Sequence, residues 1–505
     1  GYQADISPEY DGYLYDESRR RKFLAQCDKA TQERAQKAIA ADGWNHYHIR
    51  AVGDRIQIWL NDVQTVDYTE PEKAVERDGI IAIQIHGGMR GTIAYKDITI
   101  RDLTPNHMEV PMSDDGLAGE GPLRRYDWFR NLWKSKRAAW AKDVDKDQNA
   151  IVFLGDSITQ GWGGNMGGAF GDAKVANRGI SGDTTRGMLL RLREDVIDLN
   201  PTAVVMLMGT NDLEEAATPE QVAANVASII AALKKHNPTM PIIWCHMFPS
   251  SETKKRPANK IKRVNKLVAA QVKGDKQVIV LETWQQFANS AGDATKQYFP
   301  DLLHPNKAGY AKWAAALRPI FATLGYVETD KFDFTPDEGF TSLFNGKNLD
   351  GWGTRRKKTR KPLESFDGKQ VSPDGRYAAI NGKLVVTTPP EGRRFQQLWT
   401  TRDFEGDFTL KLEFRATPFA DSGIFLKGKQ LQCRDYLIAG PYTELKKYKP
   451  QDWNQVDVVC KDNVAHCTCN GEVLEATFEI PAKGPMGLEG DRGQMEYRRI
   501  QFRQD

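Results

Sequence analysis

The middle of the chain alternates between short apolar runs and longer stretches with the apolar spacing of helices. The apolar runs cover residues 150–154, 203–208, 241–246 and 277–281, and the helical stretches between them include 219–235 and 260–272. Short strands that are apolar on both faces and separated by helices are typical of a parallel sheet covered on both sides. A further helix at 126–142 carries Trp128 and Trp133 and is expected to pack against this sheet region. The pattern predicts a central α/β domain at residues 125–326.

The regions on either side show the period-two alternation of strands. The alternating segments are 44–51, 55–60, 79–85 and 92–100 upstream, and 407–414, 453–460 and 495–502 downstream. Residues 105–124 and 327–339 are predicted linkers. We therefore expect a multidomain protein whose central domain is flanked by β-sandwich, jelly-roll-like regions at residues 1–104 and 340–505.

The two β regions repeat the same features in the same order. Trp44-Asn45, a turn at Asn61-Asp62 and the segment 94–100 upstream correspond to Trp453-Asn454, a turn at Asn470-Gly471 and the segment 497–502 downstream. This order predicts two copies of one sandwich. About 90 residues precede Gln432 in the downstream copy but only two precede Gln3 upstream. The first half of the upstream sandwich is therefore expected to be missing through truncation or, alternatively, to be supplied from elsewhere in the assembly, and truncation is favoured.

Charge and composition exclude several classes of function. The 505 residues include 70 basic and 67 acidic side chains, for a net charge of +3. Nucleic-acid binding usually needs a clustered basic footprint, so no nucleic-acid partner is predicted. The basic run at 355–361 is interpreted as a solvated loop, with contact to an acidic polymer as the alternative. No run approaches about 18 apolar residues, so no membrane span is expected.

Neither a disulfide framework nor a metal site is indicated. The chain has 6 cysteines, too few for its length to form a disulfide scaffold. Cys467 and Cys469 alternate on one face of a predicted strand beside His466, which favours packing over metal binding. The chain begins at Gly1 without a methionine, so its start is expected to be trimmed or truncated, and a secreted or periplasmic location is expected.

Four short segments bring the chemistry of a serine esterase to the central domain. They are Gly155-Asp156-Ser157-Ile158-Thr159, residues 177–185, Gly209-Thr210-Asn211-Asp212 and Asp301-Leu302-Leu303-His304. Ser157 follows an apolar strand and precedes a helix, so its hydroxyl is expected at the carboxyl edge of the sheet. His304 is the candidate base for that hydroxyl, and Asp301 would fix the tautomer of the imidazole. The predicted catalytic residues are therefore Ser157, Asp301 and His304.

Acyl transfer also needs hydrogen-bond donors for the oxyanion of its tetrahedral intermediate. The predicted donors are the backbone N–H groups of Ser157 and Gly182 and the side-chain amide of Asn211. Gly182 has no Cβ and so permits a close approach. Any one of the four segments alone is compatible with an ordinary capped turn, but their order and spacing together favour the esterase.

Other polar or glycine-rich features have plainer interpretations. Asp156 and Asp212 are expected to hold the loops rather than to react. His246 either lines the cleft or, as we expect, is a buried or rim histidine. The glycine-rich segment 161–170 with Trp162 is interpreted as a shallow, flexible wall for a sugar chain or, alternatively, as a plain loop.

The central domain resembles the SGNH (GDSL) hydrolase superfamily over about residues 125–326, on the four segments that hold Ser157, Gly182, Asn211 and Asp301 with His304. Residues 177–185 are similar to the platelet-activating-factor acetylhydrolase-like branch. The resemblance implies a flavodoxin-like three-layer fold, ester hydrolysis without a metal or cofactor, and often a small acyl group.

Both flanks resemble the concanavalin- or laminin-G-like domain family known as 3-keto-disaccharide hydrolase. The resembling features are Phe344-Asn345-Gly346 with Gly351-Trp352, Asp421-Ser422-Gly423-Ile424, and Ile83-Gln84-Ile85-His86-Gly87. Where the upstream copy reads Gln84-Ile85-His86-Gly87, the downstream copy reads Leu488-Glu489-Gly490-Asp491. This departure favours a carbohydrate-binding or structural role for the downstream domain.

Two classes of function remain open at this point. The first hypothesis is a carbohydrate esterase that removes acetyl groups from a plant polysaccharide such as xylan. In the alternative, the β-sandwich regions cleave or bind sugars and the esterase is accessory. A third hypothesis, also an esterase, is a lipid or platelet-activating-factor-type acetylhydrolase. Fold alone does not choose between them.

Overall fold

The computed structural model describes residues 1–7, 11–41, 43–72, 75, 79–85, 92–100, 108–114, 116–329, 334–356, 361–387 and 396–505. The chain divides into two compact units, residues 1–107 and 108–505. Among the helices of the described ranges, none has the length and apolar character that a membrane crossing requires. The finer domain boundaries given above stay predictions.

The central part of the second unit is built on one parallel sheet. Its elements are α1 (Asp127–Lys142), β1 (Ile151–Gly155), α2 (Ser157–Gly161), β2 (Val175–Gly179), α3 (Thr185–Leu190), α4 (Leu192–Asp195), β3 (Ala203–Leu207), α5 (Thr210–Glu214), α6 (Pro219–His236), β4 (Ile242–Cys245), α7 (Ala258–Gln271), β5 (Val278–Leu281), α8 (Trp284–Phe287) and α9 (Lys307–Thr323). The strands lie in the order β5-β4-β3-β1-β2 and all pairs are parallel. This is the flavodoxin-like order, whose ligand site lies at the carboxyl edge where the order reverses, between β1 and β3.

Helices cover both faces of the sheet, and four of its five strands, β1, β3, β4 and β5, carry no charged or amide side chain. The edge strand β2 is the exception, with Asn177 and Arg178. In β1, Val152 and Leu154 point to one core, which is shared with α6 and α7. Ile151 and Phe153 point to the other core, which is shared with α9. Successive strand side chains alternate between faces, so a run without polar residues requires helices on both sides. The prediction of a three-layer α/β/α domain is confirmed.

The described part of residues 341–505 forms an antiparallel β-sandwich with one small helix. Its elements are β6 (Thr341–Ser342), β7 (Trp352–Arg355), β8 (Pro362–Ser365), β9 (Tyr377–Ile380), β10 (Lys383–Val386), β11 (Gln397–Thr400), β12 (Phe404–Glu405), β13 (Phe408–Ala416), β14 (Asp421–Leu426), β15 (Lys429–Arg434), α10 (Tyr436–Ala439), β16 (Asn454–Lys461), β17 (Val464–Cys469), β18 (Glu472–Glu479), β19 (Lys483–Gly484), β20 (Gly487–Glu489) and β21 (Met495–Gln504). The larger sheet runs β9-β10-β21-β13-β16-β17-β18, with β6 on β21, and the facing sheet runs β8-β7-β11-β20-β14-β15. Cys467 and Cys469 are buried in the core of this sandwich, as the strand alternation indicates.

The sandwich is docked on the helical face of the central domain. Asn381 donates to the carbonyl of Ala322 at 2.9 Å, and Gln494 donates to the carbonyl of Pro319 at 3.0 Å, both at the carboxyl end of α9. Arg415 of β13 donates to both carboxylate oxygens of Glu328, at 2.8 and 2.9 Å. Arg415 is buried and also pairs with the buried Glu496. These contacts make residues 108–505 one packed unit rather than two domains on a free linker.

The described residues of the N-terminal unit form two three-stranded sheets and one helix. They are formed by the strands Tyr2–Ala4, Leu14–Asp16 and Lys22–Ala25, the helix Lys29–Ala38, and the strands Tyr47–Val52, Arg55–Leu60 and Val63–Thr69. The predicted strands at 79–85 and 92–100 are wrong, because the described residues of these segments pair with no strand. Ile80 is 93% exposed and Ile100 is 77% exposed. A segment with strand-like alternation forms a strand only where a neighbouring strand supplies hydrogen bonds and a core covers its apolar face.

The internal repeat is confirmed by a hydrogen-bond pattern that both copies share. In the N-terminal unit, the Asn61 side chain accepts from the N–H of residue 46 at 2.7 Å and donates to the Asn45 side chain at 2.7 Å. In the C-terminal sandwich, the Asn470 side chain accepts from the N–H of residue 455 at 2.9 Å and donates to the Asn454 side chain at 2.7 Å. Both asparagines have positive φ in the turn of a hairpin, which is a conformation that asparagine tolerates well.

Candidate active site

Ser157 is the first residue of α2 and lies at the carboxyl end of β1, the strand beside the reversal point of the sheet. Asp156 caps the helix by accepting the N–H of Ile158 at 2.9 Å. The preceding Gly155 has no room for a side chain, because a Cβ there would lie 2.6 Å from the Leu207 carbonyl. A tight strand-to-helix turn of this kind presents the serine hydroxyl at the edge of the sheet.

Ser157, His304 and Asp301 are joined by two hydrogen bonds. The Oγ of Ser157 lies 2.9 Å from Nε2 of His304, and Nδ1 of His304 lies 2.7 Å from Oδ2 of Asp301. A carboxylate only accepts, so Nδ1 carries the proton and Nε2 presents its lone pair to the Ser157 hydroxyl. The structure thus brings together the three predicted residues across 147 positions of sequence, in the arrangement of a nucleophile, a base and an orienting carboxylate.

The loop 301–304 is held by the same carboxylate that orients the imidazole. Oδ1 of Asp301 accepts the backbone N–H groups of Leu303 at 3.0 Å and His304 at 2.7 Å. Partial burial raises the pKa of Asp301, but these bonds and the His304 ring outweigh it and bring the pKa down to about 2. The carboxyl is therefore ionised at neutral pH. Both side chains are 44% exposed, so the pair opens to solvent.

The predicted oxyanion donors follow the two strands that flank β1. Gly182 follows β2, and Asn211 lies in α5 directly after β3. Gly182 has φ +86°, and a Cβ there would lie 2.5 Å from the ring of Trp128. A side chain at this position would be both strained and in collision, which explains the glycine. The loops of Ser157, Gly182 and Asn211 therefore leave adjacent strands at one edge of the sheet.

Asn211 is buried and its amide contacts protein groups on two sides. Its Nδ2 donates to the carbonyl of Asp183 at 2.9 Å, and its Oδ1 accepts from Nη2 of Arg256 at 3.1 Å. An amide nitrogen carries two hydrogens, so one N–H is left for a further acceptor once the Asp183 bond is made.

Three fully buried carboxyls hold the loops beneath the triad. Asp212 accepts from both the backbone N–H and the hydroxyl of Thr185, which ties the Gly182 loop to the Asn211 loop. Asp183 pairs with the buried Arg191 at 2.7 Å. Burial raises the pKa of Asp156 and of Asp212 to about 6 and that of Asp183 to about 7. Asp156 and Asp212 bond to loop backbone, as the sequence indicated.

Several other predicted features are buried in the central domain or lie outside the described residues. His246 is buried and its Nδ1 lies 2.9 Å from the carboxylate of Glu282. Trp162 is not part of a flexible wall for substrate, because it is buried and stacks on Trp313 with ring centroids 4.5 Å apart. His86 with Gly87, and Lys357–Arg360 of the basic run, lie outside the described residues. Within the described ranges, no three His, Cys, Asp or Glu side chains are grouped to hold a metal ion.

Sequence reasoning missed the side chains that surround the oxyanion loops. Arg256 arrives on the loop after β4, Glu214 ends α5, and Arg124 precedes α1. Arg256 and Arg124 belong to regions without a recognisable motif, Glu214 lies two residues beyond the segment 209–212, and only the fold places the three together. Trp128 belongs to the helix that is predicted to pack against the sheet region, and nothing in the sequence places it beside Gly182. It is 53% exposed and lies against Gly182.

Two family models match the chain. The model described as the GDSL-like lipase/acylhydrolase family matches residues 153–312. The model described as a 3-keto-alpha-glucoside-1,2-lyase-like domain matches residues 1–101 and 339–503. The first interval contains Ser157, Gly182, Asn211 and the 301–304 loop, and the second covers the two β regions.

Individual relatives align with the central domain. Platelet-activating factor acetylhydrolase IB subunit alpha2 from Homo sapiens is 28% identical over 218 residues, which is 42% of this chain and 90% of that protein. Subunit alpha1 from Pongo abelii is 27% identical over 199 residues, covering 38% of this chain and 84% of that protein. The solved structure of a GDSL-like lipase from Bacteroides thetaiotaomicron is 30% identical, covers 38% of this chain and 95% of its own, and has a TM-score of 0.33.

Proposed function

This chain belongs to the 3-keto-alpha-glucoside-1,2-lyase-like family in its flanks and carries a GDSL-like acylhydrolase domain between them, and we propose that it is a serine esterase that removes acetyl groups from a polysaccharide. The hydrogen-bonded chain from Ser157 through His304 to Asp301 carries this proposal. An acetylated plant polymer such as xylan is the proposed substrate, in the manner of an acetylxylan esterase.

The first half of the reaction acylates Ser157. Nε2 of His304 takes the hydroxyl proton as Oγ attacks the carbonyl carbon of the acetyl ester. The negative charge that moves to the carbonyl oxygen is received by the N–H groups of Ser157 and Gly182 and the amide of Asn211. Asp301 stabilises the imidazolium that forms. When the tetrahedral intermediate collapses, His304 gives the proton to the sugar oxygen, and the alcohol leaves.

The second half frees the enzyme by the same groups in the same roles. His304 takes one proton from water as the water oxygen attacks the acetyl-serine carbonyl, and gives that proton to Oγ of Ser157 when the C–Oγ bond breaks. Acetic acid leaves with the second water proton and releases it to solvent as acetate forms. No step needs a metal or a cofactor. Because both half-reactions pass through an oxyanion, the donors at Gly182 and Asn211 act twice in each cycle.

Three features support a carbohydrate as the alcohol part of the ester. The flanks belong to a family whose name specifies a glucoside, and they are present in two copies. The side chains of His304 and Asp301 are each 44% exposed, which leaves room for a bulky polymer beside them. Trp128, a half-exposed indole against the Gly182 loop, offers an apolar face on which a pyranose ring can stack.

A lipid ester is the second candidate. The relatives named platelet-activating factor acetylhydrolase favour it, since their names specify removal of an acetyl group from platelet-activating factor. Both candidates share the acetyl group and the triad, so they differ only in the alcohol. In a third reading, the sandwich domains cleave or bind sugars and the esterase is accessory.

The decisive experiment compares the wild type with Ser157→Ala and with Ser228→Ala, which removes a hydroxyl on the exposed face of α6. Acetate release is measured from acetylated xylan, from an acetylated phospholipid and from 4-nitrophenyl acetate. We expect loss of all release in Ser157→Ala and full release in Ser228→Ala, with xylan preferred. Undiminished release by Ser157→Ala would exclude the triad, a preference for phospholipid would select the second candidate, and sugar cleavage that survives the substitution would select the third.

The location and the binding partner of the protein follow from the proposed substrate. A plant polymer is met outside the cytoplasm, so we propose a secreted or periplasmic enzyme whose partner is the polysaccharide itself, without a nucleic-acid or membrane partner. The sandwich of residues 340–505 is proposed to bind the polymer. Retention of the protein on insoluble xylan, compared with a chain that lacks residues 340–505, tests this role, and equal retention would exclude it.

A further inference from the structure

The orientation of the Asn211 amide is set by two neighbours of opposite hydrogen-bonding character. A guanidinium only donates and a backbone carbonyl only accepts. Arg256 therefore requires Oδ1 on its side, and the Asp183 carbonyl requires Nδ2 on the other. A flipped amide would face donor to donor and acceptor to acceptor inside a buried site, which is strongly unfavourable.

Arg256 is itself held rigidly. Its side chain is buried, Nε donates to the Thr210 carbonyl at 3.0 Å, and Nη1 donates to the Lys254 carbonyl at 2.6 Å. Nη2 bonds the Glu214 carboxylate at 2.9 Å in addition to Asn211. With its planar fork fixed on four acceptors, Arg256 cannot follow Asn211 into a different rotamer.

The same carboxylate connects Arg256 to the other oxyanion loop. Glu214 accepts from Nη2 of Arg124 at 2.6 Å, and Arg124 also bonds Glu215 at 2.8 Å. Arg124 borders Gly182, because a Cβ on that glycine would lie 2.9 Å from Nη1 of Arg124. The chain Arg256–Glu214–Arg124 thus links the loops that follow β3 and β2.

We propose that Arg256 is a positioning residue for the oxyanion hole, which keeps the free N–H of Asn211 aimed at the reacting carbonyl. The proposal rests on the proposed esterase function. Arg256 touches neither the nucleophile nor its base, so it acts only through the direction of the Asn211 amide. Stabilisation of an oxyanion depends on donors that are already oriented before charge develops.

A double-mutant cycle tests this role with 4-nitrophenyl acetate as the probe. Arg256→Lys keeps the positive charge beside Glu214 but replaces the fork with one flexible ammonium. We expect kcat to fall roughly 10- to 100-fold with KM unchanged, since only the transition state uses the donor. In an Asn211→Ala background, the same substitution should change kcat by less than about twofold, because there is no amide left to orient. Arg263→Lys, an exposed arginine of α7, is the matched control.

Equal losses in both backgrounds would overturn the proposal, because an additive effect means that Arg256 acts through something other than Asn211. If Arg256→Lys lowers the thermal unfolding midpoint too far for assay, Glu214→Ala, which removes a partner of Arg256, is taken through the same cycle. Equal losses of kcat with and without Asn211→Ala would then mean that the Arg256–Glu214 pair does not act through Asn211. Failure of the esterase function itself is separate, since it shows as an inactive wild type or an active Ser157→Ala.

Discussion

Replacing Asp301 by asparagine separates the chemistry of this carboxylate from its role in the fold. Oδ1 accepts two backbone N–H groups, from Leu303 and His304, so the asparagine oxygen must stay on that side to keep the loop. The new NH₂ group then faces Nδ1 of His304, where the carboxylate had been 2.7 Å away. A donor at that position selects the tautomer with a bare Nδ1 and a protonated Nε2.

In that tautomer the imidazole cannot accept the Ser157 proton, because Nε2 presents an N–H to Oγ instead of a lone pair. A wrong tautomer in a serine triad lowers kcat by roughly 10⁴, which is about 5.5 kcal/mol of barrier. We expect a loss of this size for Asp301→Asn with 4-nitrophenyl acetate, with KM little changed and the thermal unfolding midpoint close to wild type.

The assay is initial-rate kinetics across pH, with circular dichroism to confirm the fold. The pKa of Asp301 is about 2, so its titration cannot produce an activity change above about pH 4 in the wild type. A loss smaller than tenfold in Asp301→Asn would refute the assignment of the orienting group. Loss of the fold in Asp301→Asn would also contradict it, because the asparagine oxygen can still accept the two backbone N–H groups.

Three further predictions concern substrate, pH and stability. Trp128→Ala should raise KM for acetylated xylo-oligosaccharides roughly fivefold, since a stacked ring contributes about 1 kcal/mol. The kinetics with 4-nitrophenyl acetate should stay unchanged, and Trp128→Phe should be intermediate. An oligosaccharide KM equal in Trp128→Ala and in the wild type would exclude stacking. Burial raises the pKa of Asp156 from 3.8 to about 6, so its contribution to stability is full below pH 3.8 and is lost as pH rises through 6. Urea unfolding measured between pH 4 and 7 should therefore show a decline in the free energy of unfolding that is smaller in Asp156→Asn. A decline of the same size in the variant and in the wild type would count against a raised pKa. Arg415→Met should cost about 3–5 kcal/mol of unfolding free energy because it leaves Glu496 buried without this partner, and adding Glu496→Leu should recover part of it; a double variant less stable than the single one would contradict this account.

The order and type of the central elements were predictable because their causes are local. Apolar runs of five or six residues bounded by helical spacing mark β1, β3, β4 and β5 to within one residue at each end. Chain direction and alternation then require a parallel sheet with helices on both faces. The Ser157 turn and the Asp301–His304 loop were also readable, since nucleophile, base and orienting residue types occur at strand and helix ends.

Tertiary structure decided whatever depends on a distant partner. The alternation at 79–85 and 92–100 matches that of true strands, but strand formation needs a neighbouring strand, and sequence alone does not report whether one is present. Trp162 is adjacent in sequence to glycines that favour a loop, and only packing against Trp313 shows that it belongs to the core.

The sequence by itself determined which residues can perform the chemistry, because the reactivity of a serine, a histidine or an amide is a property of the residue and its local turn. It left open the direction in which each group points. Two bonds to groups from other loops orient the Asn211 amide, and one of them comes from Arg256, 45 positions along the chain. Orientation is a long-range property, since it is set by whichever donors and acceptors the fold brings into contact.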